Sequence, residues 1–173
     1  MSGEFHFTAA VEGDAPALVA LVNSAYRGDT SRLGWTTEAD LLDGIRTDEA
    51  SMVQMITSPQ SVILKCLDSE DRLCGCVFLQ LQEKKLYLGM LTVAPHLQNK
   101  GIGKELLAAS ESYAKEKGAG SVIMTVITVR DSLIAWYERH GYYLTCEKRP
   151  FPDDPRFGIP KQPLEFVVME KKL

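Results

Sequence analysis

The sequence predicts an α/β fold: one mixed sheet flanked by helices, in a single domain over residues 1–173. Three observations predict it. Segments of period two and segments of helical period alternate along the whole chain: a strand, helices, three strands in a row, a helix, a strand, a helix and two closing strands. A chain of 173 residues, 45% apolar and 24% charged, is long enough to bury one ordinary core. No repeat, linker or low-complexity tract divides it.

Glu4–Ala9 alternates around Phe5 and Phe7 and reads as a first strand. Asp14-Ala15-Pro16 is an N-cap followed by an early helical proline, and Leu18, Val19, Leu21, Val22 and Ala25 supply the stripe of the first helix. Residues 26–35 are polar and glycine-bearing, hence a loop. Thr36 or Thr37 can cap a short helix carrying Leu41, Leu42 and Ile45; Thr47 or Asp48 can start another with Met52, Val53, Met55 and Ile56. From Ser61 the period changes to two. Residues 62–67 and Leu73–Leu81 form a hairpin across a charged turn, and Lys85–Ala94 is the next strand, with Gly89 marking a bulge. A helix runs to about Lys117, with Ile102, Leu106, Leu107, Ala109 and Tyr113 inward, until Gly118 and Gly120 stop it. Ser121–Thr128 is a buried strand, Arg130–His140 a helix stopped by Gly141, and Tyr142–Glu147 and Leu164–Met169 the closing strands. Lys148–Pro163 holds five of the eight prolines and is expected to be a long functional loop.

Composition removes several function classes. A formal charge of −4 does not suit a nucleic-acid binder that relies on general basicity. No apolar run approaches the ~18 residues of a membrane span, and the N-terminus lacks the apolar block of a signal peptide. Cys74-Gly75-Cys76 is not a zinc spacing, so no metal is expected. Cys66, Cys74, Cys76 and Cys146 read as thiols in strands of a reduced, cytoplasmic protein.

The chemistry concentrates in "LTVAPHLQNKGIGKELL", Leu91–Leu107. A strand stops at a proline, and Gln98, Asn99, Lys100, two glycines and Lys104 then open a helix. A helix start carries unpaired N–H groups and the positive end of the dipole, and glycine lets a ligand approach the backbone. A phosphate or pyrophosphate meets these requirements. The spacing excludes a P-loop, whose glycines stand further apart, and a dinucleotide fingerprint, because position 106 is leucine.

Gln98-Asn99-Lys100-Gly101-Ile102-Gly103 resembles the [QR]-x-x-G-x-[GA] signature of the GNAT family of N-acetyltransferases, and comes after a strand as it does there. Downstream, "RDSLIAWYERHGY", Arg130–Tyr142, is similar to that family's second landmark, with Tyr137 on its tyrosine and Gly141-Tyr142 on its Gly-aromatic ending. The landmark's usual asparagine is Arg130 here. An arginine can instead meet phosphate or ribose hydroxyls.

The resemblance implies a sheet that splays in a V between its fourth and fifth strands, with acetyl-coenzyme A as co-substrate in the gap. Its pantetheine arm would pair with Leu91, Thr92 and Val93, its pyrophosphate with Gln98–Lys104, and Arg130 would assist. The reaction implied is acetyl transfer to the amine of a small molecule or peptide. A leaving thiolate has a reference pKa near ~8.5, and Tyr137 is the family-matched acid for it. An alkylamine near ~10.4 must lose a proton first; Glu38, Asp40, Tyr87 and Glu165 are the candidate bases, with His96 and His140 set aside.

In that family the connectors after the first strand and between the last two shape the acceptor pocket. Tyr26, Arg27, Trp35, Glu38 and Arg46 are the candidate acceptor residues here. Arg27 or Arg46 would clamp a carboxylate, Glu38 or Asp40 would attract an ammonium, and Phe151 with Phe157 would form a lid. A non-catalytic acyl-coenzyme A-binding module is the alternative, which would not need Tyr137. Oligomeric state is not legible: the last strand, ending at Val168-Met169, is apolar enough to pair across a homodimer or simply to fill the core.

Overall fold

The computed structural model describes residues 4–26, 42–43, 46–98, 100–152 and 159–173. In chain order its elements are β1 (His6–Ala9), α1 (Ala15–Tyr26), β2 (Leu42–Asp43), α2 (Glu49–Thr57), β3 (Ser61–Leu67), β4 (Leu73–Gln82) and β5 (Lys85–Val93). Then come α3 (Ile102–Glu116), β6 (Ser121–Ile127), α4 (Asp131–Arg139), β7 (Tyr143–Pro150), β8 (Ile159–Pro160) and β9 (Glu165–Lys172).

Local chemistry sets several boundaries. Asp48 accepts the Ser51 amide at 2.8 Å and so caps α2. Gly101, Gly118 and Gly141 take left-handed backbone at the start of α3, after its end and after α4, a conformation that costs a side-chain-bearing residue more. Asp68 accepts the backbone amides of Glu70 and Arg72, each at 2.9 Å, and closes the turn between β3 and β4.

Seven strands form one mixed sheet in the order β1-β3-β4-β5-β6-β9-β7, and β2 pairs with β8 in a separate two-stranded ribbon. Among the described residues only β5 and β6 run parallel, and their ladder pairs are Lys85–Ser121, Leu86–Val122 and Tyr87–Ile123. Among the described residues no ladder pair joins them further on, so the rest of β5 diverges from β6. This is the predicted splay; β2 shifts the numbering, making the fourth and fifth predicted strands β5 and β6.

Two cores cover the two faces. Leu79, Leu86, Leu106, Leu107, Val122 and Met169 pack with α3 and α4 on one face. Leu18, Val22, Met52, Ile63, Cys76 and Met90 pack with α1 and α2 on the other. Burying a Leu or Met side chain fully contributes about 1.5–3 kcal/mol each, so both faces are fastened. Met90 belongs to the second core whereas Leu86 and Leu88 belong to the first. A bulge causes the switch: between the pairs Phe78–Gly89 and Cys76–Thr92, β5 spends one residue more than β4, and Met90 has φ 56°. The glycine signal therefore lies one residue before the left-handed position.

Two expectations need correction, and one open reading closes. Leu42 belongs to a strand, its partner Pro160, and not to a helix; residues 36–41, 44 and 45 lie outside the described residues. The loop expected over Lys148–Pro163 starts later, because β7 continues to Pro150, which pairs with Glu165. β7 is an outer strand, where a proline lacking its N–H is tolerated. The last strand does not offer a dimer edge: β9 lies between β6 and β7, paired on both sides.

Candidate active site

The diverging half of β5 and the start of α3 form one wall of a cavity, and α4 forms another. Leu91, Thr92, Val93, Gln98, Gly101, Ile102, Gly103, Lys104, Arg130 and Tyr137 all line it. With Tyr26, which lines it too, eleven of the predicted site residues, far apart in the chain, thus meet in one place. Gly101 is the N-cap of α3 and no side chain caps the helix, so its first-turn N–H groups keep their donor capacity beside the cavity. At Gly101 an added Cβ would meet nothing within 4 Å. The residue is needed for its φ of 85° and leaves the approach open. Gly103 differs: an added Cβ would stand 3.5 Å from the Trp136 ring, an ordinary packing distance, so the space there would admit a small side chain. Gln98 is turned to the strand, its amide donating to the Val93 carbonyl at 3.1 Å. Lys100 is exposed and does not line the cavity; Asn99 lies outside the described residues.

Tyr137 is 5% exposed. Its ring meets Trp136 at 5.1 Å and Tyr142 at 5.8 Å, both edge-on. Its hydroxyl donates to no described residue, yet no sealed side-chain polar atom lacks a partner, so this hydroxyl opens onto the cleft. Burial pushes its pKa well above the usual phenol value, Tyr26 nearby adds to the rise, and Arg130 opposes it. The phenol is held neutral, with a proton to donate.

A second cavity adjoins the first on the side of α2 and β6. Tyr26, Leu91, Arg130, Leu133 and Tyr137 line both. The rest of the second wall includes Arg46, Tyr87, Met90, Met124, Phe151 and Phe166. Tyr26 stands at the boundary. Its hydroxyl donates to the Leu91 carbonyl at 2.6 Å, next to the bulge. The Arg46 guanidinium lies over its ring at 5.4 Å. Arg46 is positioned from α1: Asn23 Oδ1 accepts the amides of Arg46 at 2.7 Å and Thr47 at 3.1 Å, and Asn23 Nδ2 donates to the Thr47 carbonyl at 3.0 Å.

Of the predicted acceptor residues, Tyr26 and Arg46 come together here. Arg27, Trp35 and Glu38 lie outside the described residues, as do Asp40 and Phe157. Phe151 does line the second cavity and stacks on Phe166 at 5.2 Å. Among the candidate bases, Tyr87 lines the cavity, while Glu165 does not and pairs with Lys148 at 3.3 Å. His96 is exposed, and His140 sits 2.7 Å from the Trp136 carbonyl at the end of α4. Sequence reasoning missed Asn23 and Trp136. A polar asparagine on the inner half of a helix was a usable signal for the first; for the second, Trp136 stands three residues after Leu133, at helical spacing on the same face, which was also a usable signal.

Among the described residues no group of His, Cys, Asp and Glu could hold a metal ion, and no helix is long and apolar enough to cross a membrane. The uncapped helix start and the strand edge that β6 does not pair, where among the described residues only side chains reach the Leu91 and Val93 carbonyls, lie on one cavity and fit a ligand with an anionic head and an amide-bearing arm.

Known proteins of the same shape carry the same arrangement of elements. The ribosomal-protein-S18-alanine N-acetyltransferase of Escherichia coli aligns over 98% of this chain and 94% of its own, with TM-score 0.71 and 14% identity. A GNAT family acetyltransferase from Elizabethkingia anophelis, solved with acetyl-CoA bound, aligns over 98% of each chain, with TM-score 0.67 and 14% identity. At such identities the likeness is one of fold. In sequence, the Xenopus tropicalis protein named "Probable N-acetyltransferase 14" is 28% identical over 78 residues, 44% of this chain and 38% of the relative. The match thus spans well under half of that relative's length. The family model described as Acetyltransferase (GNAT) family matches residues 21–142, which hold the splay, the glycine loop and Tyr137, and on that match the chain belongs to the GNAT acetyltransferase family.

Proposed function

We propose that the protein is an acetyl-coenzyme A-dependent N-acetyltransferase acting on the amine of a small molecule or peptide. The observation that carries this reading is the junction of three features on one cavity: the unladdered edge of β5, the uncapped start of α3 and the proton-bearing Tyr137. The first-turn amides from Gly101 to Lys104 hold the pyrophosphate, with the helix dipole and the Lys104 charge favouring it. The backbone of Leu91–Val93 orients the pantetheine arm. Bound acetyl-coenzyme A supplies an activated acetyl thioester, whose C–S bond breaks as an amide C–N bond forms on the acceptor. Tyr137, which keeps its phenolic proton at neutral pH, gives it to the departing sulfur, and the proton that the acceptor nitrogen sheds passes through water and restores the phenol. The acceptor approaches from the second cavity, which meets the first at Tyr26, Leu91 and Tyr137.

Calorimetric titration with acetyl-coenzyme A tests the binding half. The intact protein should bind, and Gly101→Glu, which puts a carboxylate at the anion site, should bind at least about tenfold more weakly. Because a side chain at φ 85° is strained by about 1–2 kcal/mol, a thermal melt must show that this variant is folded. Tyr137→Phe tests the chemical half. Its kcat should fall by about a hundredfold or more while its acetyl-coenzyme A affinity stays within about threefold of the parent, since only one hydroxyl is removed. Lost binding with retained turnover would reject the acid role; retained structure without any binding would reject the transferase reading.

A further inference from the structure

The second cavity carries information about the acceptor that the first does not, on the premise that the protein is the transferase proposed above. Arg46 is half-buried in its wall. Its backbone is fastened through three hydrogen bonds between Asn23 and residues 46 and 47, and its guanidinium lies on the Tyr26 ring. Among the described residues no carboxylate pairs with it. A guanidinium presents five N–H donors in its plane. The contact with the Tyr26 ring is one of charge with a π-face and provides no anionic oxygen for these donors. A cation fixed in a cavity wall, with its donors unspent on any described carboxylate, is a receptor for an anionic oxygen group, because charge-assisted and bidentate pairing there is the strongest interaction it can make. Arg130, where the two cavities meet, adds a second positive charge. The same cavity is also lined by the apolar side chains of Met90, Met124, Phe151 and Phe166.

We propose that the acceptor is an amine that also carries a carboxylate or phosphate group on a small apolar body, and that Arg46 is the residue that selects it. The anionic group sits on the in-plane donors of Arg46, the body lies against the methionine and phenylalanine wall, and the amine points past Tyr26 toward the cofactor cleft. Two cations in the walls also disfavour acceptors with several positive charges, by like-charge repulsion.

The test is a thiol-release assay with acetyl-coenzyme A over matched amines. Phenylalanine is set against phenethylamine, 2-aminoethyl phosphate against ethanolamine, and spermidine is included. At least one anionic amine should exceed its neutral counterpart by about tenfold or more in kcat/KM, and whichever pair shows the gap distinguishes carboxylate from phosphate. Arg46→Ala should raise KM for the anionic amine by about tenfold or more and remove the gap, and Arg46→Lys should restore part of it. Preference for a neutral amine or for spermidine, no turnover of any anionic amine, or an Arg46→Ala variant that keeps the gap would each overturn the proposal. Acetyl-coenzyme A binding, measured on the same preparations, separates the failures. A protein that binds the cofactor and prefers spermidine loses only the acceptor class, whereas one that binds no cofactor loses the transferase reading too.

Discussion

Three tyrosines show how one residue type takes different roles from its surroundings. Tyr26 donates to a main-chain carbonyl at 2.6 Å. Tyr142 points at Glu111, which itself takes the Lys171 ammonium at 2.6 Å. Tyr137 keeps its hydroxyl on the cleft. Burial raises the pKa of both Tyr137 and Tyr142, and for Tyr142 the Glu111 charge raises it further. These shifts fix the sign of the pH effect. A phenol whose folded pKa exceeds its unfolded value of about 10 contributes stability that is intact below pH 10. That stability is lost as pH rises toward the folded value, because the unfolded chain ionises first. The phenolate absorbance of Tyr137, isolated as the difference between the parent and Tyr137→Phe, should therefore appear together with loss of the near-ultraviolet circular dichroism. Reversible ionisation of Tyr137 near pH 10 in an intact fold would contradict its burial.

At the scale of elements, the site depends on two departures from regular structure, and both left a glycine signal in the sequence. The start of α3 was legible because glycines one residue apart, at 101 and 103, between a strand and a helix have few other physical uses. Even so, only Gly101 has the left-handed backbone that calls for glycine, while Gly103 would admit a Cβ at ordinary contact distance from Trp136. The bulge was signalled by Gly89 and lies beside it, with the left-handed backbone one residue on, at Met90, φ 56°. The fastening of Arg46 by Asn23 was not legible: it joins α1 to the chain before α2, across a connector whose pattern fixes no contact. Asn23 is the point to perturb. Asn23→Ala removes three hydrogen bonds and leaves the Arg46 and Thr47 amides without that partner. The variant should lose about 1–3 kcal/mol in denaturant unfolding. It should also raise the acceptor KM more than that of acetyl-coenzyme A. Equal effects on both would mean that Asn23 supports the whole cleft and not Arg46 in particular.

Across the whole molecule, the order of elements was legible because strands and helices here keep clean periods. Sheet position was not. The sequence marks prolines 150 and 160 as unsuited to a central strand, which is right, but an outer strand accepts them, so β7 ran further than expected. The last strand stayed open for a related reason: an apolar strand fits an edge and an interior position equally, and the pairing of β9 on both sides decides between them. The splay has an energetic consequence. β5 and β6 share three ladder pairs, so along the rest of their length the two parts of the sheet are joined through the helices and not through backbone hydrogen bonds. A ligand whose arm pairs with β5 and whose head is held by α3 binds the folded state alone. At a hundred times its dissociation constant it should add about 2.7 kcal/mol of stability, which for a chain of 150–250 residues corresponds to about 5–11 °C in Tm. Acetyl-coenzyme A should produce this rise in the parent and lose most of it in Gly101→Glu. 3′-Dephospho-coenzyme A should keep most of it, because the groups assigned here hold the pyrophosphate and the pantetheine arm. A melt that ignores acetyl-coenzyme A at saturating concentration would mean that the cleft does not take the cofactor at all.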